Sequence, residues 1–231
     1  YAAALQSSLS NLNTVWVVNG DKMIPELTSE IISIPSDAGL DAGIWANLLA
    51  KTLRSDKPSD SLSAIARRRI NPRIVQNVID SVLKTTQNLT IIEQGQVRSI
   101  KKSGKDWQIE LADKSRMKVK AVVDASKDAY LYQLAGGKID SIVTRATIPD
   151  SYFESAVSSE LFRTGVAVGE QDGRAFTLPL SGLIPGDDRN LCLTQRTPVV
   201  QHLLPDDEQD IPLLMHVGQA VGAAAAYVAF F

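Results

Sequence analysis

Apolar residues recur along this chain in two rhythms, threes and fours in some stretches and twos or short runs in others. Their order lays out the elements. Residues 1–9 (YAAALQSSL) are alanine-rich and predict a helix. Asn11-Leu12-Asn13 break it. Residues 14–18 (TVWVV) are β-branched and nearly all apolar, the pattern of a buried strand, and Asn19-Gly20-Asp21 form a turn. Helix, short break, buried strand and turn make the second half of a βαβ unit. Residues 43–53 predict an amphipathic helix with Ile44, Leu48 and Leu49 on one side, and residues 55–63 a polar loop around Pro58. Asn71-Pro72 starts another helix, with Asn at the cap and Pro at the first position. Ile74, Val78, Ile79 and Val82 mark its apolar face.

After a strand at residues 89–92 the rhythm changes to near-alternation over residues 96–101, 107–111 and 116–119. The turns between carry Ser103-Gly104-Lys105 and Ala112-Asp113-Lys114-Ser115, which predicts a three-stranded β-meander. Its last strand runs into residues 118–137, KVKAVVDASKDAYLYQLAGG. There an uncharged run, Ala121-Val122-Val123, reads as a strand buried on both faces. Asp124 ends the run, small residues follow, and residues 129–135 predict a short helix with Leu131 and Leu134 inward, stopped by Gly136-Gly137. A strand that turns through an acid and small residues into a helix sets backbone N–H groups beside a ligand at the carboxyl edge of a sheet. Residues 138–174 carry little pattern, although residues 151–162 are compatible with a helix. The apolar end, residues 215–231, predicts a buried helix, being short for a bilayer, which needs about 20 apolar residues.

Composition narrows the functions. The chain has 231 residues and a formal net charge of −2, with no basic field to hold nucleic acid. Arg67-Arg68-Arg69 reads as a solvated turn. A single cysteine, Cys192, excludes a disulfide framework or thiolate cluster, and two distant histidines, His202 and His216, form no metal motif. No metal site and no transmembrane segment are expected. Self-association into a homo-oligomer, the compartment and the substrate are left open. The chain opens in mid-pattern without Met and closes abruptly at Phe230-Phe231, the pattern of part of a longer product.

Three patches resemble one family, the FAD-dependent oxidoreductases of the glutathione-reductase-like type. Residues 122–136, VVDASKDAYLYQLAG, are similar to (V/I)-(V/I)-D-A-T-G-D-x-D-L-x-x-L-A-G. Residues 176–185 (FTLPLSGLIP) and 190–196 (NLCLTQR) are similar to Y-x-I-P-Y-R-S-L-I-P and N-L-L-V-A-G-R. Residues 216–225 (HVGQAVGAAA) are similar to x-I-G-Q-A-x-G-x-A-A. The triplet Leu27-Thr28-Ser29 matches the end of L-G-G-x-L-T-S. The chain departs from the family's glycines in three places, at the pair now Ile24-Pro25, at Lys127 and at Gln195. Asn19 stands where the family usually has an acid. The first strand and glycine loop of the family lie upstream of residue 1 or are missing.

The resemblance implies an α/β fold: a three-layer FAD/NAD(P)-binding, Rossmann-like domain with a β-meander and a small inserted cap/substrate subdomain. Residues 1–137 and 176–231 would form the FAD-binding-type domain, and 138–175 the cap segment. It implies FAD as cofactor. Asn19 would be at the ribose, Asp124 and Ser126 near the adenosine or pyrophosphate, and Lys127 would offer its ammonium to a phosphate. Gln195 would bond the flavin or ribityl chain. Gly218 would start a helix whose positive end points at the flavin, with Gln219 beside it. Arg196 would lie near the ring or substrate, and His202 is the candidate acid/base. The implied function is hydride transfer between a small-molecule substrate and bound flavin. The alternative is a non-catalytic relative that keeps the fold for binding or assembly with FAD lost or weakened, as the filled glycine positions would suit. A plain NAD-binding domain gives no reason for the meander or the last helix.

Overall fold

A computed structural model of the chain describes residues 1–20, 23–28, 42–53, 70–144, 150–151, 165–171, 174–186, 190–204 and 210–231. The expected polar loop at 55–63, the arginine trio, Asp21, Ser29 and nearly all of the expected helix at 151–162 lie outside the described residues. Only Asp150–Ser151 of that region is described, as a short strand.

The first helix, α1 (Ala2–Leu9), leads into strand β1 (Thr14–Val17). Then come α2 (Pro25–Thr28), α3 (Gly43–Leu53) and α4 (Pro72–Thr85). The Asn71 side chain caps α4 by accepting from the Arg73 N–H at 3.0 Å, as the Asn-Pro pair predicts. The apolar face of α4 differs from the expected one. Val75 and Ile79, one turn apart, are its buried residues, while Ile74 is 41% exposed. Val78 and Val82 flank that stripe as partly buried neighbours, so its axis passes through Val75. With α1, α2 and α3 the stripe encloses a cluster around Trp45, Leu27 and Leu48.

Strand β2 (Leu89–Ile92) pairs in parallel with β1, Thr14 opposite Leu89 and Val17 opposite Ile92. The meander is β3 (Val97–Ser103), β4 (Asp106–Leu111) and β5 (Arg116–Val119), all antiparallel. Its inward residues Val97, Ile100, Trp107, Ile109 and Leu111 pack on Val122 and Leu191. Those two belong to β6 (Val122–Asp124) and β10 (Leu191–Leu193), a second parallel pair. Helix α5 (Tyr130–Leu134) follows β6, and its Leu131 and Leu134 are only half-buried against the meander cluster. Strands β7 (Asp150–Ser151), β8 (Gly165–Gln171) and β9 (Arg174–Pro179) form an antiparallel sheet in the order β7-β9-β8. The chain is therefore a mixed α/β fold with both parallel and antiparallel sheets.

Helix α6 (Pro198–Leu203) precedes α7 (Ile211–Phe230), which begins earlier than expected and is 20 residues long. The Asp210 carboxylate caps α7 by accepting from the Leu213 N–H at 2.9 Å. By length and composition α7 could cross a membrane, with a mean hydropathy of 1.5. Its buried face packs on α1, α3, β6, β8 and β10, and Tyr227 and Phe230 at its far end are exposed. Small residues set its closest contact: Ala2 lies against Gly218, and Ala3 and Gln6 against Gly222. The two helices therefore run the same way, and the Ser7 hydroxyl donates to the Gly222 carbonyl at 3.0 Å.

Candidate functional site

The turn after β6 is built around one carboxylate. Asp124 is 1% exposed. Its Oδ1 accepts from the Ser126 N–H at 3.1 Å and the Ser126 hydroxyl at 2.6 Å, and its Oδ2 accepts from the Tyr132 N–H at 2.9 Å. The Ser126 Oγ accepts from the Tyr130 N–H at 2.6 Å. An acid and a hydroxyl placed two residues apart thus satisfy the orphan N–H groups at the start of α5, the usual reason for such residues before a helix. Both side chains are turned into the protein.

The end of β10 is fastened to this turn. The Thr194 N–H donates to the Asp124 carbonyl at 3.1 Å. Arg196 sits at φ 62°, in the left-handed region, and its Nε donates to the Lys127 carbonyl at 3.1 Å. Its second guanidinium nitrogen lies 3.4 Å from the Asp128 carboxylate. Lys127 is exposed, and Gln195 is half-buried beside Thr194, which is 5% exposed. Arg196, Lys127, Asp124 and Ser126 therefore meet at the carboxyl ends of β6 and β10. Asp128 belongs to the same contact, and the sequence pattern does not mark it as a site residue. The only signal was its place in the matched string, one residue after the filled glycine position.

The last helix corrects an expectation. Gly218 is not a helix start. It lies two turns inside α7, which is capped at Asp210, because Pro212 and the apolar residues around it continue the helical pattern back to Ile211. The absence of a Cβ at Gly218 serves packing instead, since one there would stand 3.1 Å from the Ala2 Cβ. Gln219 does not project free either: its Oε1 accepts from the Ile44 N–H at 2.9 Å and caps the start of α3. Asn19 is exposed after the carboxyl end of β1. His202 is exposed in the last turn of α6 and has no hydrogen-bond partner among the described residues, and His216 is half-buried on α7. Among the described residues no hydrogen bond or ion pair joins Asn19 or His202 to the Asp124 turn.

A dinucleotide needs ribose and phosphate partners at the carboxyl edge, and a polar partner for its ring. The first requirement is compatible with the residues present. Asn19 and Lys127 are exposed, and the space where a Gly20 Cβ would stand has no atom within 4 Å. The second is not met by Gln219, whose amide oxygen is already used on α3. A cavity of about 520 Å³ lies elsewhere, along α1, α3 and α4, lined by Tyr1, Leu5, Asn47, Lys51 and Asn88 among others. None of the candidate residues borders it.

No family model matches the chain, and no curated protein matches it. Among solved structures it is similar in fold to the bacillithiol disulfide reductase Bdr (YpdA) from Bacillus cereus. The TM-score is 0.48 and the identity 11%, over 98% of this chain and 95% of that one. It is also similar to the Diels-Alderase PyrE3 of the pyrroindomycin biosynthetic pathway, with a TM-score of 0.43 and 10% identity, over 99% of this chain and 69% of that one.

Proposed function

We propose that this chain is the dinucleotide-binding domain of a flavin-dependent oxidoreductase and takes FAD at the carboxyl edge of its parallel strands. On this reading the fold is a three-layer Rossmann-like domain, residues 1–137 and 176–231, with residues 138–175 as a cap over a small-molecule substrate. Strand β9 lies across the second boundary. The observation that supports the reading is the fastening of β10 to the Asp124 turn through Thr194 and Arg196. It leaves Lys127 exposed where two parallel strands end. Lys127 and Arg196 are assigned to the phosphates, Asn19 to the ribose, and Gln195 to the flavin side. When bound, the flavin supplies the hydride chemistry, and the protein supplies orientation and charge. His202 is assigned the acid/base role.

A second reading is favoured by a specific observation. Asp124, Ser126 and Gln219 spend their polar atoms inside the protein, and Lys127 and Gln195 add bulk where the resembling family has glycine. On that reading the fold serves binding or assembly, and FAD is weakened or lost. Incubation of the purified protein with FAD, removal of free flavin and a visible spectrum separate the two. A retained flavin band supports the oxidoreductase. A protein that stays colourless leaves the non-catalytic reading.

A further inference from the structure

Charge is divided unevenly along the chain. Residues 97–120, the meander and its exit, hold eight Lys and Arg against three Asp and Glu, a net +5 in a chain whose formal net charge is −2. The remaining residues hold sixteen cations against twenty-three acids, a net −7. The strand register shows where the cations stand. Lys101, Gln108 and Lys118 lie side by side across the three strands, on the face turned away from Trp107 and Ile109. Lys102, Lys105 and Lys120 meet at Asn190. The Lys102 ammonium donates to the Asn190 Oδ1 at 2.6 Å, and the Asn190 amide donates to the Lys105 and Lys120 carbonyls at 2.8 and 2.7 Å. These five lysines are exposed at one end of the meander. Of the three acids in residues 97–120 only Asp106 lies at that end, 3.0 Å from Lys118. Lys101 and Lys105 make no ion pair among the described residues. Asp187 and Asp188 precede Asn190 outside the described residues, and counted in full they still leave the cations in excess.

The same end exposes apolar surface. The Lys120 ammonium donates to the Ala229 carbonyl at 2.7 Å, which sets it against the last turn of α7. Ala223, Tyr227 and Phe230, spaced four and three, form one exposed stripe on that part of the helix. Tyr227 is 66% and Phe230 58% exposed, and residues 220–231 hold no charged side chain. A helix face turned to water is ordinarily polar.

We infer that this end is a docking surface for a bilayer rich in anionic lipid, with the lysines at the headgroups and Tyr227 and Phe230 at the interface. Aromatic side chains are favoured at that depth, and each cation held at an anionic surface strengthens binding about fivefold. The two features together select this occupant. Duplex nucleic acid would use the cations and leave the aromatic stripe in water. A two-fold contact with a second copy would set lysines against lysines. Lys120 and Asn190 immediately precede β6 and β10, so the docking surface lies at the amino ends of that pair. The carboxyl edge with Asp124 and Lys127 is then turned away from the bilayer. The inference stands whether or not that edge takes FAD.

Vesicle flotation of the 231-residue chain tests it. At low salt the chain should bind vesicles of equal parts phosphatidylserine and phosphatidylcholine at least about tenfold better than phosphatidylcholine alone. Salt at about 1 M should release it. Lys101→Gln combined with Lys105→Gln, both at exposed positions, should keep the parent Tm and weaken binding about 10–30-fold. In Phe230→Trp, brominated acyl chains in the anionic vesicles should quench emission beyond that lost by the parent. The inference is overturned if the chain ignores the anionic vesicles, binds both kinds equally or stays bound at high salt. It is equally overturned if the glutamine pair keeps full affinity or the new tryptophan is not quenched. Binding to duplex DNA, or self-association, that the glutamine pair abolishes while vesicles are ignored would assign the face to that partner instead.

Discussion

Gly222 stands so close to Ala3 that a Cβ at this position would lie 2.5 Å from the Ala3 carbonyl oxygen and 2.9 Å from its Cα. Both atoms are backbone, so neither can rotate away, and α1 would have to move off α7. At Gly218, one turn earlier, the nearest atom is the Ala2 Cβ at 3.1 Å, which a shift of a few tenths of an ångström relieves. Replacing a helical glycine by alanine also gains about 0.5–1 kcal/mol of helix propensity. Gly218→Ala should therefore leave stability within about 1 kcal/mol of the parent, since propensity offsets the crowding. Gly222→Ala should lose about 1–3 kcal/mol, the cost of overpacking a closed contact. Urea unfolding of both variants, with unchanged slopes, measures the difference.

Asp124 carries three hydrogen bonds in a site that is 1% exposed. Asn keeps the shape and one oxygen but sets an NH₂ group against either the Tyr132 N–H or the Ser126 donors. Asp124→Asn should cost about 2 kcal/mol, and Asp124→Ala about 3 or more, because buried donors lose their acceptor outright. For a chain of this size that corresponds to a fall in melting temperature of roughly 4–12 °C. A scanning-calorimetry shift of less than a degree for the alanine variant would remove Asp124 as the organiser of this turn.

The thiol of Cys192 is buried in β10, 2% exposed, and burial pushes its pKa from 9.0 up to about 12. The folded protein keeps the proton where the unfolded chain has lost it. Between about pH 9 and pH 12 the native state binds more protons, so stability must fall as pH rises, by up to about 1.4 kcal/mol per pH unit. Below pH 9 the group contributes no slope. Tyr1, raised by burial from 10.0 to about 12, adds a slope of the same sign from a higher starting point. Cys192→Ala should flatten the fall between pH 9 and 10, as read by urea midpoints across that range. At pH 8 the native thiol should resist iodoacetamide and react only on unfolding.

The elements were legible where one physical rule dominated. Strand β2 and the meander follow from uninterrupted β-rich or alternating runs, and α4 from an Asn-Pro start that its cap hydrogen bond accounts for. The start of helix α7 is less legible. Nothing periodic marks Asp210 as a cap until the Leu213 N–H is seen to reach it. The site was less legible because the same residue types serve ligands and turns. Asp124 and Ser126 suit a cofactor by pattern, and the structure spends them on α5. Gln219 suits a flavin by pattern and caps α3, a partner 175 residues away in sequence. Such long-range partners leave no local signal.

Arg196 separates the structural use of this edge from a binding use. Its contacts include a backbone carbonyl and a carboxylate that is 71% exposed, and exposed pairs of that kind contribute at most about 1 kcal/mol. Its φ of 62° also costs a non-glycine residue strain that glycine escapes. Arg196→Gly should therefore change stability by less than about 1 kcal/mol, the lost clasp being offset by the relieved backbone. If the guanidinium also meets a phosphate, the same change removes a charge-assisted hydrogen bond of about 1.5–3 kcal/mol, and FAD affinity should drop roughly 10–100-fold. Flavin-fluorescence titration beside urea unfolding reads the two effects independently. Unchanged affinity with unchanged stability would mean that Arg196 only closes the turn and that the phosphates, if bound, lie elsewhere.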